Sequence, residues 1–186
     1  MERKKPIWVR TINFLSEATG YVSGFFIAIA SLVILYQVII RYFIGASTIW
    51  QTELSIYLLI FATFVGAAYG LKHDAHVGID IVTEMLSAKA RTILKIFTSI
   101  ACLVFTVILA WRGFDMWYEA WVNGWRSSTV WGPPLSYPYF ILPLGMTIVS
   151  LQFLVIIYEE IMKLKTGSYK DEEKKDGEID LEKLIH

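Results

Sequence analysis

The sequence contains little of what enzymes use for catalysis or redox chemistry. It has one cysteine, Cys102, and three histidines among 186 residues. A single thiol can form neither an internal disulfide nor a dithiol redox pair. The sequence also shows no pair of catalytic carboxylates, no nucleophile triad and no glycine-rich phosphate loop. We therefore predict a protein that is not an enzyme and that binds no cofactor and no nucleic acid.

Charged side chains are almost missing from four long hydrophobic runs, at about residues 20–40, 53–71, 92–111 and 137–158. About 20 mostly apolar residues, folded as a helix, cross the roughly 30 Å hydrocarbon core of a bilayer. A helix also satisfies its own backbone polar groups inside the membrane. The sequence therefore predicts an all-α integral membrane protein with four transmembrane helices.

The composition changes sharply near the C-terminus. Residues 166–186 are dense in charges of both signs and contain no aromatic residue after Tyr169. Such a segment has too little apolar surface to form a packed core. We expect a membrane domain over residues 1–165 and a charged cytoplasmic tail over residues 166–186.

Basic residues are scarce on one side of the predicted membrane. Only Arg41, Arg112 and Arg126 lie on the side where the first span ends, so 14 of the 17 lysines and arginines lie on the other side. Loops enriched in lysine and arginine remain in the cytoplasm. This asymmetry predicts that both termini are cytoplasmic.

Ionisable side chains are absent from the middle of the spans. The deepest polar residues are Gln37, Thr63, Ser99, Thr106 and Gln152, and none of them carries a charge. A transporter core needs polar groups or broken helices near the bilayer midplane to hold solute and ions. We therefore predict a protein that packs beside another membrane protein. A self-assembling four-helix channel or a structural tetraspan protein is the alternative, and a polar stripe along one span would support a pore.

Residues 6–18 have the spacing of an amphipathic helix. Arg10, Asn13 and Glu17 fall on one face, and the apolar side chains fall on the other. This pattern is typical of a helix that lies in the headgroup layer of a membrane.

A second amphipathic segment, residues 111–126, is rich in tryptophan. One side carries Phe114, Trp117, Trp121 and Trp125, and the opposite stripe includes Asp115, Glu119 and Arg126. The spacing of three or four residues is helical, so the third span should continue outward as a helix. An ordinary aromatic belt at the membrane surface would also explain the tryptophans. The regular polar stripe favours a segment that orients a soluble partner.

Small residues recur every four positions on two spans. They are Gly20, Gly24 and Ala28 on the first span, and Ala62, Gly66 and Gly70 on the second. Such stripes let helix backbones approach closely in lipid. The two stripes could pack on each other, or either could contact a partner.

Two oppositely charged residues flank the first connection between spans. Arg41 ends the first span and Glu53 begins the second, where each charge suits the helix dipole. An Arg41–Glu53 ion pair could hold this hairpin, and contact with a partner is the alternative.

The turn after the second span contains His73, Asp74, His76 and Asp80. This spacing is not a standard zinc signature, and polar residues are expected at a membrane-edge turn. We favour a structural turn over a metal site, with His76 and Asp80 capping the next helical segment.

The sequence as a whole resembles the small membrane subunit of TRAP (tripartite ATP-independent periplasmic) transporters, the DctQ-like family. The residues that carry the resemblance are Trp50, Glu53, Gly66-Ala67-Ala68, Lys72, His76 and Asp80, followed in the last span by Pro138 and Pro143-Leu144-Gly145. The chain departs from the family pattern at Thr52, where an acid is frequent, and at Ile56, where an arginine is frequent.

The resemblance implies a subunit of a sodium-coupled secondary transporter for an organic acid in the bacterial inner membrane. The implied partners are a large TRAP membrane subunit, which binds solute and sodium, and a periplasmic substrate-binding protein. The small subunit would scaffold the large one and help to dock the binding protein, with membrane lipid around it.

Overall fold

The computed structural model describes residues 6–73 and 87–167, and these residues form helices joined by short connections. The helices are α1 (Ile7–Ile39), which continues as a π-helix over Ile40–Ile44, α2 (Ile49–Lys72), α3 (Ala88–Val122) and α4 (Ser136–Thr166). The described residues contain no β-strand, so the predicted all-α fold is confirmed. His76, Asp80 and nearly all of the predicted tail lie outside the described residues.

All four helices are long and apolar enough to cross a membrane. Within the spans most apolar side chains point outward, and large residues such as Phe25, Leu32, Phe97 and Phe105 are more than half exposed. Buried positions instead hold small or weakly polar residues, including Ser23, Ala30, Ala62 and Ala68. Lipid is as apolar as leucine, so helices in a membrane pack through small residues and not through large hydrophobic ones. The pattern is that of a multi-pass membrane protein.

Helix α1 begins directly after Pro6 and runs to Ile39 without a break. Residues 7–18 of the predicted segment 6–18 are therefore helical, but they are not a helix separate from the first span. Nothing in this stretch interrupts the backbone hydrogen bonds. The chain turns only at Gly45, which has a φ of 68°, a left-handed conformation that glycine adopts without a steric penalty.

Helix α3 also extends beyond its predicted span. It continues to Val122, which confirms that most of residues 111–126 are helical. The prediction was wrong for the last four residues, because Gly124 has a φ of 60° and ends the helix. Arg126 consequently lies in the loop of residues 123–135, where it forms an isolated antiparallel bridge with Pro134.

Helix α4 contains Pro143, which cannot donate a backbone hydrogen bond. One turn later, the Thr147 hydroxyl donates to the Pro143 carbonyl oxygen at 2.6 Å. Two residues after the proline, a Cβ atom on Gly145 would lie 2.5 Å from the Phe64 carbonyl oxygen of α2. The glycine therefore permits close contact between the α2 and α4 backbones.

The chain divides into two compact units. Of the described residues, 6–73 and 105–152 belong to the first unit, and 87–104 and 153–167 belong to the second. The first unit therefore contains all of α1 and α2 together with the ends of α3 and α4 that adjoin the loop of residues 123–135.

The second unit holds a buried carboxylate, Glu160, that the sequence analysis did not single out. The Glu160 side chain is only 6% exposed and accepts from Lys163 Nζ at 3.2 Å. Lys95 Nζ lies 3.5 Å from the same carboxylate oxygen. Burying a charge is costly unless it is paired, and two lysines meet this requirement.

Candidate functional site

The loop of residues 123–135 is tied to the start of α2 by Glu53. The Glu53 residue is 7% exposed, and both carboxylate oxygens accept hydrogen bonds. The Tyr57 hydroxyl donates to Oε1 at 2.5 Å, and the Thr129 hydroxyl donates to Oε2 at 2.5 Å. Since Tyr57 is one helical turn away and Thr129 is in the loop, Glu53 fixes the loop against α2. We call this part of the first unit the Glu53 end.

Arg41 does not take part in this arrangement. It lies exposed in the π-helical segment, and the partners of Glu53 are hydroxyl groups instead of a guanidinium. The Arg41–Glu53 ion pair considered from the sequence is therefore not formed. The hairpin is held by neutral contacts: Gln37 Nε2 donates to the Thr52 hydroxyl at 2.8 Å, and the half-exposed Trp50 ring lies 6.4 Å from that of Tyr36.

The loop is further ordered by its own hydrogen bonds. Ser127 N donates to the Pro133 carbonyl oxygen at 3.0 Å, and Leu135 N donates to the Trp125 carbonyl oxygen at 2.9 Å. Val130 at the tip is 91% exposed. A tied backbone with an exposed tip is a surface that can contact a partner with little ordering cost.

The charged stripe predicted on residues 111–126 is present on the surface of α3. Asp115 and Glu119 are both exposed, and Asp115 Oδ2 lies 3.7 Å from Arg112 Nη1. Arg126 is separated from this stripe because it lies in the loop and donates from Nη1 to the Gly132 carbonyl oxygen at 3.3 Å. The structure thus places two of the three predicted charges on one helix and the third in the neighbouring loop.

The aromatic side of the same segment packs partly against α4. The Trp117 ring lies 5.3 Å from that of Phe140 on α4, 5.3 Å from that of Phe114 and 6.1 Å from that of Trp121. The clustering of Phe114, Trp117 and Trp121 is therefore confirmed, whereas Trp125 lies beyond the end of α3 and its ring is 6.5 Å from that of Tyr139.

A groove of about 830 Å³ opens beside this cluster. It lies among α2, the end of α3, the loop of residues 123–135 and the start of α4. Its lining residues are Leu54, Tyr57, Leu58, Phe61, Trp117, Trp121, Arg126, Trp131, Gly132, Pro133, Pro134, Ser136, Tyr137, Pro138, Phe140 and Ile141. Arg126 is the only charged residue among them, so the groove is apolar with one cation. We call it the aromatic groove.

Some glycines of the small-residue stripes lie where α1 and α2 pack closely together. A Cβ atom on Gly66 of α2 would lie 2.5 Å from Ser23 Oγ of α1, and one on Gly20 would overlap the ring of Tyr69. Gly24 has open space around it, and Ala28 is exposed. In the first stripe, Gly20 therefore packs within the protein, whereas Gly24 and Ala28 are on the surface.

The opposite end of the first unit contains a polar network that the sequence analysis did not predict. Glu17 of α1 accepts hydrogen bonds from Lys72 Nζ and contacts His73 Nε2 at 3.2 Å. Gln152 of α4 accepts from the Ser16 hydroxyl at 2.8 Å and donates to Asn13 Oδ1 at 3.3 Å. We call this region the Lys72 end. The available signal was the spacing of Asn13, Ser16 and Glu17, which places all three on one face of α1.

The network also places one of the predicted turn residues. His73 contacts Glu17 and packs its ring 4.4 Å from that of Tyr69, and Gly70 beside them is half-buried. The described residues contain no group of three side chains able to hold a metal ion. The capping roles predicted for His76 and Asp80 stay predictions.

Buried polar atoms in the described ranges are almost all paired within the protein. The Thr106 hydroxyl accepts from Ser150 at 2.9 Å, and Ser23 donates to the Ala62 carbonyl oxygen at 2.6 Å. Only Gln51 Oε1 has no partner among the buried side-chain atoms that the structure describes. Such pairing holds the helices together, and these polar groups already have hydrogen-bond partners within the protein.

Comparison with known proteins agrees with this picture. Residues 30–162 match the model of the family described as tripartite ATP-independent periplasmic transporters, DctQ component. The C4-dicarboxylate TRAP transporter small permease protein DctQ of Vibrio cholerae is 26% identical over 82% of this chain and 75% of its own length. The corresponding protein of Rhodobacter capsulatus is 29% identical over 80% of this chain and 64% of its own length.

The names of the relatives refer to different solutes. The sialic acid TRAP transporter small permease protein SiaQ of Vibrio cholerae is 27% identical over 73% of this chain and 76% of its own length. These relatives are subunits of transporters and not enzymes. The chain has four helices able to span a membrane, and the family match covers residues 30–162. This chain therefore belongs to the DctQ family of TRAP transporter small membrane subunits.

Proposed function

We propose that this chain is the scaffold subunit of a TRAP transporter and that a larger membrane subunit carries the solute and the coupling ion. The observation that carries this proposal is the pairing of the buried polar side chains within the first unit, such as Ser16 with Gln152 and Thr106 with Ser150. Groups already bonded to one another are poorly suited to hold a solute. This pairing gives no support to the alternative of a self-assembling channel.

We propose the exposed part of the small-residue stripe on α1 as a contact with the large subunit. Gly24 has open space around it, so the backbone of a neighbouring helix can approach there. Gly24→Leu should reduce co-purification of the large subunit, whereas Val22→Leu, also on the exposed surface of α1, should not. Equal co-purification with both variants would remove this face from the subunit interface.

We propose that the Glu53 end faces the periplasm and that both termini are cytoplasmic. The support is the distribution of basic residues, since 14 of the 17 lie on the other side. A cysteine placed at Val130 should react with a membrane-impermeant maleimide added to intact spheroplasts. Labelling only after the membrane is broken would reverse the orientation.

On this topology, a periplasmic binding protein can reach the exposed stripe of Asp115 and Glu119. Rim charges of this kind steer and orient a partner more than they add affinity. Glu119→Lys should slow donor-dependent uptake into liposomes by roughly 1.4- to 5-fold at low salt, the range given by exposed charge pairs of about 0.2–1 kcal/mol. The effect should shrink as salt is added.

The control for this experiment is Arg10→Glu, a charge reversal at the exposed N-terminal part of α1 on the opposite side. It should leave uptake unchanged at both salt concentrations. Unchanged uptake with Glu119→Lys as well would leave the charged stripe with no role in docking.

We propose an organic acid as the solute class and sodium as the coupling ion. The support is that relatives are named for C4-dicarboxylates and for sialic acid. Another relative, from Halomonas elongata, is named for ectoine, so the family accepts chemically different small solutes. Uptake of labelled succinate and sialate by the assembled transporter, with and without a sodium gradient, tests this assignment.

A further inference from the structure

The aromatic groove has the shape and chemistry of a site for a lipid chain. Along α2 its lining runs from Leu54 to Phe61, about 10 Å of helix at 1.5 Å per residue. This length fits within one leaflet of a hydrocarbon core of roughly 30 Å. The volume of about 830 Å³ is within the range of roughly 300–1,000 Å³ that is usual for pockets that bind small molecules.

Some side chains that line the groove are largely exposed. Tyr137 is 70% exposed and Trp121 is 62% exposed, on helices long and apolar enough to cross the membrane. Aromatic residues with polar tips favour the level of the lipid headgroups. A molecule already in the membrane can therefore enter the groove sideways, without passing through water.

The single charge of the groove is a cation at the loop. Arg126 uses Nη1 to donate to the Gly132 carbonyl oxygen, and in the part of the chain that the structure describes no carboxylate forms an ion pair with it. A guanidinium has five N–H donors in a planar fork that suits a phosphate. The exposed remainder of the Arg126 side chain is thus complementary to an anionic headgroup.

The position of this cation is fixed by the loop that carries it. Thr129 is bonded to Glu53 of α2, and Ser127 N is bonded to the Pro133 carbonyl oxygen. Gly132 has a φ of 57°, which favours glycine at the point where Arg126 bonds the backbone. A site whose parts are held before the ligand arrives binds with a smaller ordering cost.

We propose that the aromatic groove binds one membrane phospholipid, with an acyl chain along the aromatic and proline lining and the phosphate at the Arg126 guanidinium. Charge complementarity and depth in one leaflet favour a phospholipid over a side chain of the partner subunit. This site does not depend on the docking role of the charged stripe, because its readout is bound lipid and not uptake.

Native mass spectrometry of the purified chain tests the proposal. Delipidated protein in detergent is incubated with phosphatidylglycerol or phosphatidylethanolamine. One phospholipid should remain bound per wild-type chain after washing. Arg126→Gln, which removes the charge, should weaken the affinity for the phospholipid at least about tenfold and so lower the retained fraction, since hydrogen bonds to charged groups contribute roughly 1.5–3 kcal/mol. Arg112→Gln, an exposed arginine that does not line the groove, is the matched control and should keep the lipid.

A second pair of variants separates the acyl chain from the phosphate. Leu58→Trp places a larger side chain on the groove lining and should also release the lipid, whereas Leu59→Trp on the exposed surface should not. If Leu58→Trp does not fold, as judged by size-exclusion chromatography, the result for Arg126→Gln alone tests the proposal.

Equal retention of lipid by Arg126→Gln and Arg112→Gln would overturn the proposal. So would a lipid that the isolated chain binds but the assembled transporter lacks, because the groove would then belong to the partner subunit.

Discussion

The two ends of the first unit each hold a glutamate on a helix, but they satisfy it in different ways. At the Lys72 end, Glu17 meets the basic side chains Lys72 and His73. At the Glu53 end, the carboxylate accepts hydrogen bonds from hydroxyl groups, including those of Tyr57 and Thr129. The first arrangement depends on attraction between opposite charges, which varies little with the angle between the groups and is screened by salt. The second depends on directed hydrogen bonds, so a loop placed by Glu53 is placed in one position.

The largest difference between the ends should appear when Glu53 is removed. Glu53→Ala deletes both acceptors, so Thr129 loses its anchor on α2 and the loop opens locally. Loss of such hydrogen bonds corresponds to roughly a tenfold change in the open population. Limited trypsin digestion after Arg126 should therefore become about tenfold faster.

The matched control is Glu119→Ala, which removes an exposed glutamate from α3 without touching the loop. Its digestion rate should equal that of the wild type. If Glu53→Ala is digested no faster, the hydroxyl contacts do not hold the loop, and the contrast between the two ends disappears.

A smaller effect is expected from the amide at the Lys72 end. Gln152→Leu leaves the fully buried Ser16 hydroxyl without its acceptor. Hydrogen bonds between membrane helices contribute about 0.6 kcal/mol on average and up to about 1.7 kcal/mol, so the free energy of unfolding should fall within that range. Unfolding in mixed micelles by increasing SDS fraction measures it.

Gln37→Leu serves as the control for this change. It removes an exposed amide hydrogen bond to Thr52 near the Glu53 end, and the Thr52 hydroxyl still donates to the Thr48 carbonyl oxygen. A decrease in stability at least as large as that of Gln152→Leu would show that burial does not distinguish the two amides.

The smallest effect is expected from the ion pair. Lys72→Met removes the charge that meets Glu17, but the Lys72 side chain is already 25% exposed. Exposed pairs add about 1 kcal/mol at most, which corresponds to a decrease in Tm of about 2–4 °C or less for a chain of this length. Lys72 Nζ also donates to the Asn13 carbonyl oxygen at 3.2 Å, so the decrease should shrink at high salt without vanishing, whereas the effect of Glu53→Ala should not change. Lys165→Met, an exposed lysine of α4, should change the Tm at neither salt concentration.

The helices could be predicted from the sequence more completely than their ends. Each hydrophobic run is long enough to require a helix in lipid, and all four were found. The bounds were too short because amphipathic segments continued the spans at 6–18 and 111–122, where no residue interrupts the helix. Sequence spacing shows which face a side chain occupies, but it does not show whether two helical segments are joined without a bend.

The partners of the polar residues could not be predicted in the same way. Glu53 was singled out, yet its partner Thr129 is 76 residues away in the sequence, and only the folded loop brings them together. The nearer cation, Arg41, suited the helix dipole but remains exposed. The aromatic groove is formed by parts of three helices and a loop, so no local pattern indicates it. Of its lining, only the tryptophans on α3 and the Gly132-Pro133-Pro134 run stand out in the sequence.

The central claim is that this chain is a scaffold that works only beside a larger membrane subunit. The most direct test is to purify the tagged chain from host membranes in mild detergent and to determine the composition and stoichiometry of the complex by native mass spectrometry. We predict one copy of this chain with one copy of the large TRAP membrane subunit. We also predict no ion conductance when the chain alone is placed in liposomes. A stable homo-oligomer without the large subunit that conducts ions would contradict the account.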